Sequence, residues 1–243
     1  MNLTYLRLEI TRVLRNKRVL VFSVLLPSIL LLVIGSSQKN EAYQGTTVAA
    51  YIMVSMGIFG AMSSATGAAG SIAVERGVGW NRQLRLTPLN PVKYVVSKVV
   101  LALVLVLPPL VVVYSLGALV LDVRLSAGTW ALVFLGSWLS ALPFAALGLI
   151  IGYVARPESM QQVSGLLFFL LALFGGLWLP VDQMPHVMRV VSTWTPAYWA
   201  ADVAREPLAH GSLDARAVLV LLAWTVGLGI IGVNRFRADT ARA

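Results

Sequence analysis

Apolar residues run along this chain in long unbroken blocks rather than in alternation. No Asp, Glu, Lys or Arg occurs in 19–38, 42–74, 99–121, 125–155, 159–181 or 217–234. Each block reaches the ~18 residues that mark a membrane-crossing helix. Continuous apolar runs exclude barrel strands, which alternate lipid-facing and lumen-facing residues. The pattern predicts an all-α membrane protein with six transmembrane helices, at roughly 19–37, 48–74, 94–121, 130–155, 163–181 and 217–234. Residues 1–18 carry a different period. Leu3, Leu6, Ile10, Val13 and Leu14 share one helical face, and Glu9, Arg12, Arg15 and Asn16 lie opposite. That predicts a basic amphipathic helix lying on the membrane surface. Between the fifth and sixth spans, Val187, Val190, Val191 and Trp194 follow helical spacing, and Trp178, Trp194, Tyr198 and Trp199 crowd together as an interfacial aromatic belt does.

Composition agrees. Of the 243 residues 58% are apolar and only 12% are charged, about half the usual ~25% of a soluble domain. The net charge of +9 is topological rather than a sign of nucleic acid. Fourteen of the nineteen Lys and Arg fall in one set of alternate segments: the first eighteen residues, 76–98, Arg156 and the tail after 234. The positive-inside rule makes that set cytoplasmic. Both termini are then inside, in a multi-pass protein of the inner (cytoplasmic) membrane. The first span is read as retained rather than cleaved, because its basic leader is long and no A-x-A site follows it.

Several chemistries are missing. There is no cysteine, and only His186 and His210 are present, so neither a disulfide framework nor a His/Cys metal site is expected. No lysine follows a glycine, so the Gly-Lys-Ser/Thr of a P-loop is absent. Gly227-Leu228-Gly229-Ile230-Ile231-Gly232 matches G-x-G-x-x-G but lies inside an apolar run, where small residues let helices approach. Gly148 and Gly152 read the same way. Gly57, Gly60, Ser63, Ser64, Thr66, Gly67, Gly70 and Ser71 make the second span small and mildly polar, suited to tight packing or to lining a pathway. No span carries an ionisable residue near its middle, which argues against proton- or sodium-coupled transport.

The cytoplasmic segment 75–93 is built to touch something. Trp80 through Leu86 allow two helical turns, stopped before Pro88. Trp80 beside Arg82 and Arg85 has the composition of a binding hot spot; the other reading is an interfacial anchor with topogenic arginines.

Two stretches carry a family resemblance. Val74-Glu75-Arg76-Gly77 and Gln83-Leu84-Arg85-Leu86-Thr87-Pro88-Leu89 resemble the E-R-E-x-G-T-x-E-x-L-x-x-T-P-L loop of type-two ABC exporter permeases, with Glu75 the only acid kept in the loop. Gly175-Gly176-Leu177-Trp178-Leu179-Pro180, Met184-Pro185, Thr195-Pro196-Ala197-Tyr198 and Arg205 look like that family's fifth-span exit. The resemblance covers nearly the whole chain. It implies a single permease domain over 1–243, with an external re-entrant region at 182–216 forming short outer-leaflet helices. It implies that ATP and Mg are bound by a separate ATPase subunit, with no cofactor in this chain. It implies a coupling helix in 75–93, anchored by Glu75, Trp80, Arg82 and Arg85, and a second contact near Arg156 and Glu158. It implies two permease subunits, identical or not, meeting around the second and fifth spans. On that arrangement Met53, Met56, Phe59 and Ser63 are expected to face Phe169, Leu173 and Phe174 across a substrate pathway, since Met and Phe suit an adaptable apolar site. The expected function is outward movement of a lipophilic or amphipathic compound such as a drug or antibiotic. Rival readings are a non-transport scaffold or anchor subunit and an ion-extrusion permease of the same architecture.

Overall fold

The computed structural model describes residues 17–37, 41–77, 91–155 and 159–242. Among these, nearly all regular structure is helical. α1 covers Lys17–Ser37 and α2 Val48–Gly77. α3 covers Pro91–Leu119, α4 Ala127–Leu139 and α5 Leu142–Val154. α6 covers Met160–Phe174, α7 His186–Ser192, α8 Pro196–His210 and α9 Ala215–Arg242. One feature escaped the sequence pattern. Strands β1 (Ala42–Tyr43) and β2 (Thr46–Thr47) pair antiparallel, Ala42 with Thr47 and Tyr43 with Thr46. Their two-residue turn, Gln44-Gly45, has positive φ at both positions (48° and 76°), as a type I′ hairpin requires. Such a short hairpin leaves no alternation to read.

α2 is the axis of the bundle. A helix that is apolar all round is buried all round, and every residue from Ala49 to Met62 is buried. α1, α3, α4, α5, α6 and α8 all pack on it. Its small residues decide how closely they come. At Gly60 a Cβ would lie 3.0 Å from Pro109 Cβ and Ser23 O and 3.4 Å from Pro27 Cγ. The proline bends of α1 and α3 therefore meet α2 where it has no side chain. At Gly57 a Cβ would lie 2.8 Å from the Tyr114 ring. That ring is fixed by a 2.6 Å hydrogen bond between Tyr114 Oη and Ser137 Oγ. Thr66 Oγ1 donates to Phe144 O at 3.1 Å, tying α2 to α5. On the far side α9 rides on α5, and Gly232 sits 3.5 Å, by its would-be Cβ, from Leu149 Cβ.

The spans differ in detail from the pattern. Among the described residues, four stretches are long and apolar enough to cross a membrane: Val48–Ala68, Val96–Leu119, Ala127–Val154 and Ala215–Arg235. The third is two helices, because the chain turns at Ser140-Ala141 and restarts with Pro143 in the first turn of α5, where a missing N–H costs nothing. Two further apolar helical stretches are shorter, Ser23–Ser37 and Gln162–Phe174. The expected fifth helix over 163–181 stops at Phe174. Gly175 has no room for a side chain, since a Cβ would come within 2.6 Å of Ala197 Cβ and of Leu171 O. Gly176 then takes a left-handed φ of 68°, which ends a helix. The expected short helices follow as a 3-10 turn at Val181–Gln183, α7 and α8. The valines of α7 do form one stripe, but it faces outward: Val187, Val190 and Val191 are exposed, as is Trp194. The amphipathic helix expected before residue 17 lies outside the described residues.

Candidate functional site

The densest polar arrangement among the described residues lies where the hairpin, the start of α2, the turn after α6 and α8 converge. Thr195 caps α8, its side chain accepting from Tyr198 N, and Gly211 closes the helix in the left-handed conformation. α8 thereby presents Asp202, Arg205 and Glu206 towards the hairpin end of the bundle. Arg205 reaches inward. Its Nη1 donates to Tyr51 Oη at 2.7 Å and its Nη2 to the carbonyl of Gly176 at 2.7 Å. The guanidinium stands 4.2 Å from the centre of the Tyr51 ring, within cation–π range. Its Nε is buried without an acceptor. Burial pushes the Arg205 guanidinium below its ordinary value, and the surrounding tyrosines and Asp202 partly offset this.

The hairpin is tied to the same place. Tyr43 Oη donates to Asp182 Oδ1 at 2.7 Å, and Gln44 Nε2 donates to Tyr43 Oη at 3.1 Å. The Tyr43 ring meets Tyr51 edge-on at 4.8 Å. Burial, reinforced by Asp182, raises the Tyr43 phenol above its usual value. These groups border a cavity of about 590 Å³ lined by Gln44, Tyr51, Asp182, Tyr198, Asp202 and Arg205 among others. Asp202 is partly buried, and burial raises its carboxyl above the ordinary range, with the charges of Glu206 and Asp214 adding to the shift. At the cavity edge His210 Nδ1 lies 2.9 Å from Glu206 Oε1. A site with fixed hydrogen bonds, aromatic faces and one buried cation can hold elements together or release them. It offers no nucleophile–base pair, and no metal-binding cluster occurs among the described residues.

The sequence-predicted pathway residues fall in two places. Met53 and Met56 are fully buried within the single chain, and the Met53 side chain occupies the space left by Gly117 of α3. Phe59 and Phe169 each meet Trp178 within one chain, at 5.6 and 5.4 Å between ring centres. Phe169 is half-exposed, while Ser63, Leu173 and Phe174 are partly buried. Of the coupling residues, Glu75 lies in the last turns of α2. Trp80, Arg82, Arg85, Arg156 and Glu158 lie outside the described residues. Sequence reasoning missed Tyr43, Tyr51, Asp182 and Asp202. A signal was present: Asp202, Arg205 and Glu206 cluster charge on one short helix between long uncharged spans.

A central buried helix, several membrane-length helices and a helical cap after a glycine break narrow the possibilities. The family model for the ABC-2 type transporter membrane domain matches residues 3–208. The chain belongs to the ABC-2 type transporter family. It is also 32% identical over 217 residues to a Bacillus subtilis (strain 168) protein named "Putative transport permease YvfS", with 89% of each chain covered. This is therefore a membrane permease, a transport subunit, and family membership implies an ABC ATPase as its partner.

Proposed function

We propose that this permease is the membrane half of an ATP-driven exporter that moves a lipophilic or amphipathic compound, such as a drug or antibiotic, outward. The observation that carries the reading is the pairing of ABC-2 membership with a sequence that has no Gly-Lys-Ser/Thr anywhere. In this reading the phosphate-cradling lysine is supplied by a partner ATPase. The reading takes six crossings: the four stretches of membrane length and the two shorter apolar stretches in α1 and α6. The basic asymmetry of the loops puts both termini and the segment 75–93 on the cytoplasmic side. The hairpin, α7 and α8 then form an outer cap. Two permease copies, or two related chains, enclose the pathway. Trp178 and Phe169 supply an aromatic surface near its outer end, with the buried Phe59 packed against Trp178, and the half-exposed Phe169 turns towards the second subunit.

Glu75, Trp80, Arg82 and Arg85 form the main ATPase contact in this reading, with Arg156 and Glu158 a second. The test is purification of the tagged permease from its own host in mild detergent, followed by identification of stoichiometric companions. A P-loop ATPase in fixed ratio is the expected result. Recovery of the chain with no such subunit, under conditions where it stays monodisperse and folded, overturns the reading.

A further inference from the structure

We infer that Arg205 is a two-position latch for the cap at the hairpin end, bound to Tyr51 and Gly176 when the cap is closed and received by Asp202 when it lifts. The closed position is the one the structure holds. One guanidinium joins three elements: α8, which carries it, α2 through Tyr51, and the turn after α6 through the Gly176 carbonyl. The hairpin adds a parallel tie through Tyr43 and Asp182.

Three features point to a second position. First, the closed geometry is incomplete, since Arg205 Nε is a buried donor with no acceptor. A buried cation with an unmade hydrogen bond sits in a shallower well than one fully satisfied. Second, an acceptor is waiting. Asp202 lies three residues before Arg205 on the same helix, where side chains are neighbours; its charge already acts on Arg205 and Arg216, and no hydrogen bond ties its carboxylate elsewhere among the described residues. Third, the turn that Arg205 grips has a pivot. Gly176 has a φ of 68°, in the left-handed region, so the cap joins α6 through the residue type whose backbone has the widest conformational range.

When the cap moves off α2, Tyr51 and the Gly176 carbonyl are lost together. Left alone, the guanidinium would be an unpaired charge at the rim of an apolar bundle, and the cost would hold the cap shut. Asp202 removes that cost because it travels on the same helix. The latch thus keeps both cap states accessible. Its purpose as a substrate gate rests on the exporter reading; the geometry of the two positions does not.

The absence of cysteine allows a clean test. Ala201→Cys and, separately, Leu177→Cys place one thiol at positions only 1% exposed in the closed cap. Each full-length protein is embedded in vesicles, and its labelling rate by a membrane-impermeant maleimide is measured from the hairpin side. Arg205→Gln is expected to raise labelling at both positions at least tenfold. Tyr51→Phe, which deletes one acceptor and keeps the ring, should raise it severalfold, and Arg205→Lys should restore most of the protection. Asp202→Asn is expected to act the other way and lower labelling. Unchanged labelling in Arg205→Gln overturns the latch. So does an Asp202→Asn variant that labels faster, because Asp202 would then be a support of the closed cap. A monodisperse elution profile for each variant separates opening from misfolding. Labelling needs neither ATPase nor substrate, so failure of the exporter reading would leave this result standing, and the reverse also holds.

Discussion

Adding one methyl group at Gly60 tests how the bundle is held together. The would-be Cβ lies 3.0 Å from Pro109 Cβ, 3.0 Å from Ser23 O and 3.4 Å from Pro27 Cγ. Optimal carbon contacts fall at about 3.5–4.0 Å, so two neighbours must retreat by roughly half an ångström. Neither can do so by turning a side chain, because one is a proline ring and the other a backbone carbonyl. Overpacking of this kind costs about 1–3 kcal/mol. Alanine recovers about 1 kcal/mol of helix propensity, so Gly60→Ala should destabilise by up to about 2 kcal/mol net. Gly227 supplies the control. It lies in α9, is exposed, and has nothing within 4 Å of its would-be Cβ. Gly227→Ala should therefore be neutral or stabilise by up to about 1 kcal/mol. For a chain of this size 1 kcal/mol moves the melting temperature by about 2–4 °C. The helix-propensity gain is common to both variants, so they should differ by the overpacking cost alone, roughly 2–12 °C, read as the monodisperse fraction surviving a temperature series in detergent. Equal melting temperatures would refute the claim that α1, α2 and α3 meet in rigid contact at Gly60.

Two further outcomes follow from single residues. The raised carboxyl of Asp202 means that its ionised form is disfavoured in the folded protein. Stability from this group is present below the ordinary carboxylate range and is lost as pH rises through the raised value. Asp202→Asn should accordingly melt higher than the parent at neutral pH, with the gap closing in acid; melting curves of both proteins across that range check the sign. Trp80→Ala should weaken association with the ATPase by about 2 kcal/mol, close to thirtyfold in Kd, without changing membrane level, since Arg76 and Lys93 keep the loop marked as cytoplasmic. Titration binding of the purified ATPase to vesicles carrying each form measures it.

What the sequence made legible depended on the length scale of the signal. The apolar blocks over 48–74, 99–121, 125–155 and 217–234 each lie within or overlap a helical stretch of membrane length, because a run of that length has few alternatives in lipid. Small residues at Gly57 and Gly60 were legible as packing sites, although which prolines and rings they would meet was not. Gly175-Gly176 breaks the helix inside an apolar block that runs on to 181. Hydropathy does not register a left-handed turn, and apolar Leu177, Trp178 and Leu179 keep the window high. The β1–β2 hairpin spans too few residues to show a period. Met53 and Met56 have an adaptable composition, but both are buried because α2 is covered on every side, and its central place in the bundle is a matter of topology that one apolar run does not encode. The Tyr43–Asp182 and Tyr51–Arg205 pairs join residues more than a hundred positions apart. With one sequence, no local pattern reports such contacts.

The most direct test of the central claim is ATP-driven movement across a sealed bilayer. The permease and the ABC ATPase that co-purifies with it are reconstituted into liposomes, and ATP is supplied only to complexes whose ATPase faces outward. Uptake of a panel of fluorescent amphipathic compounds into the lumen is then followed. The account predicts accumulation that requires ATP, requires both proteins, and vanishes when the ATPase loses its P-loop lysine. ATP hydrolysis by the permease alone would contradict it, as would a complex that hydrolyses ATP with no accumulation of any compound in the panel.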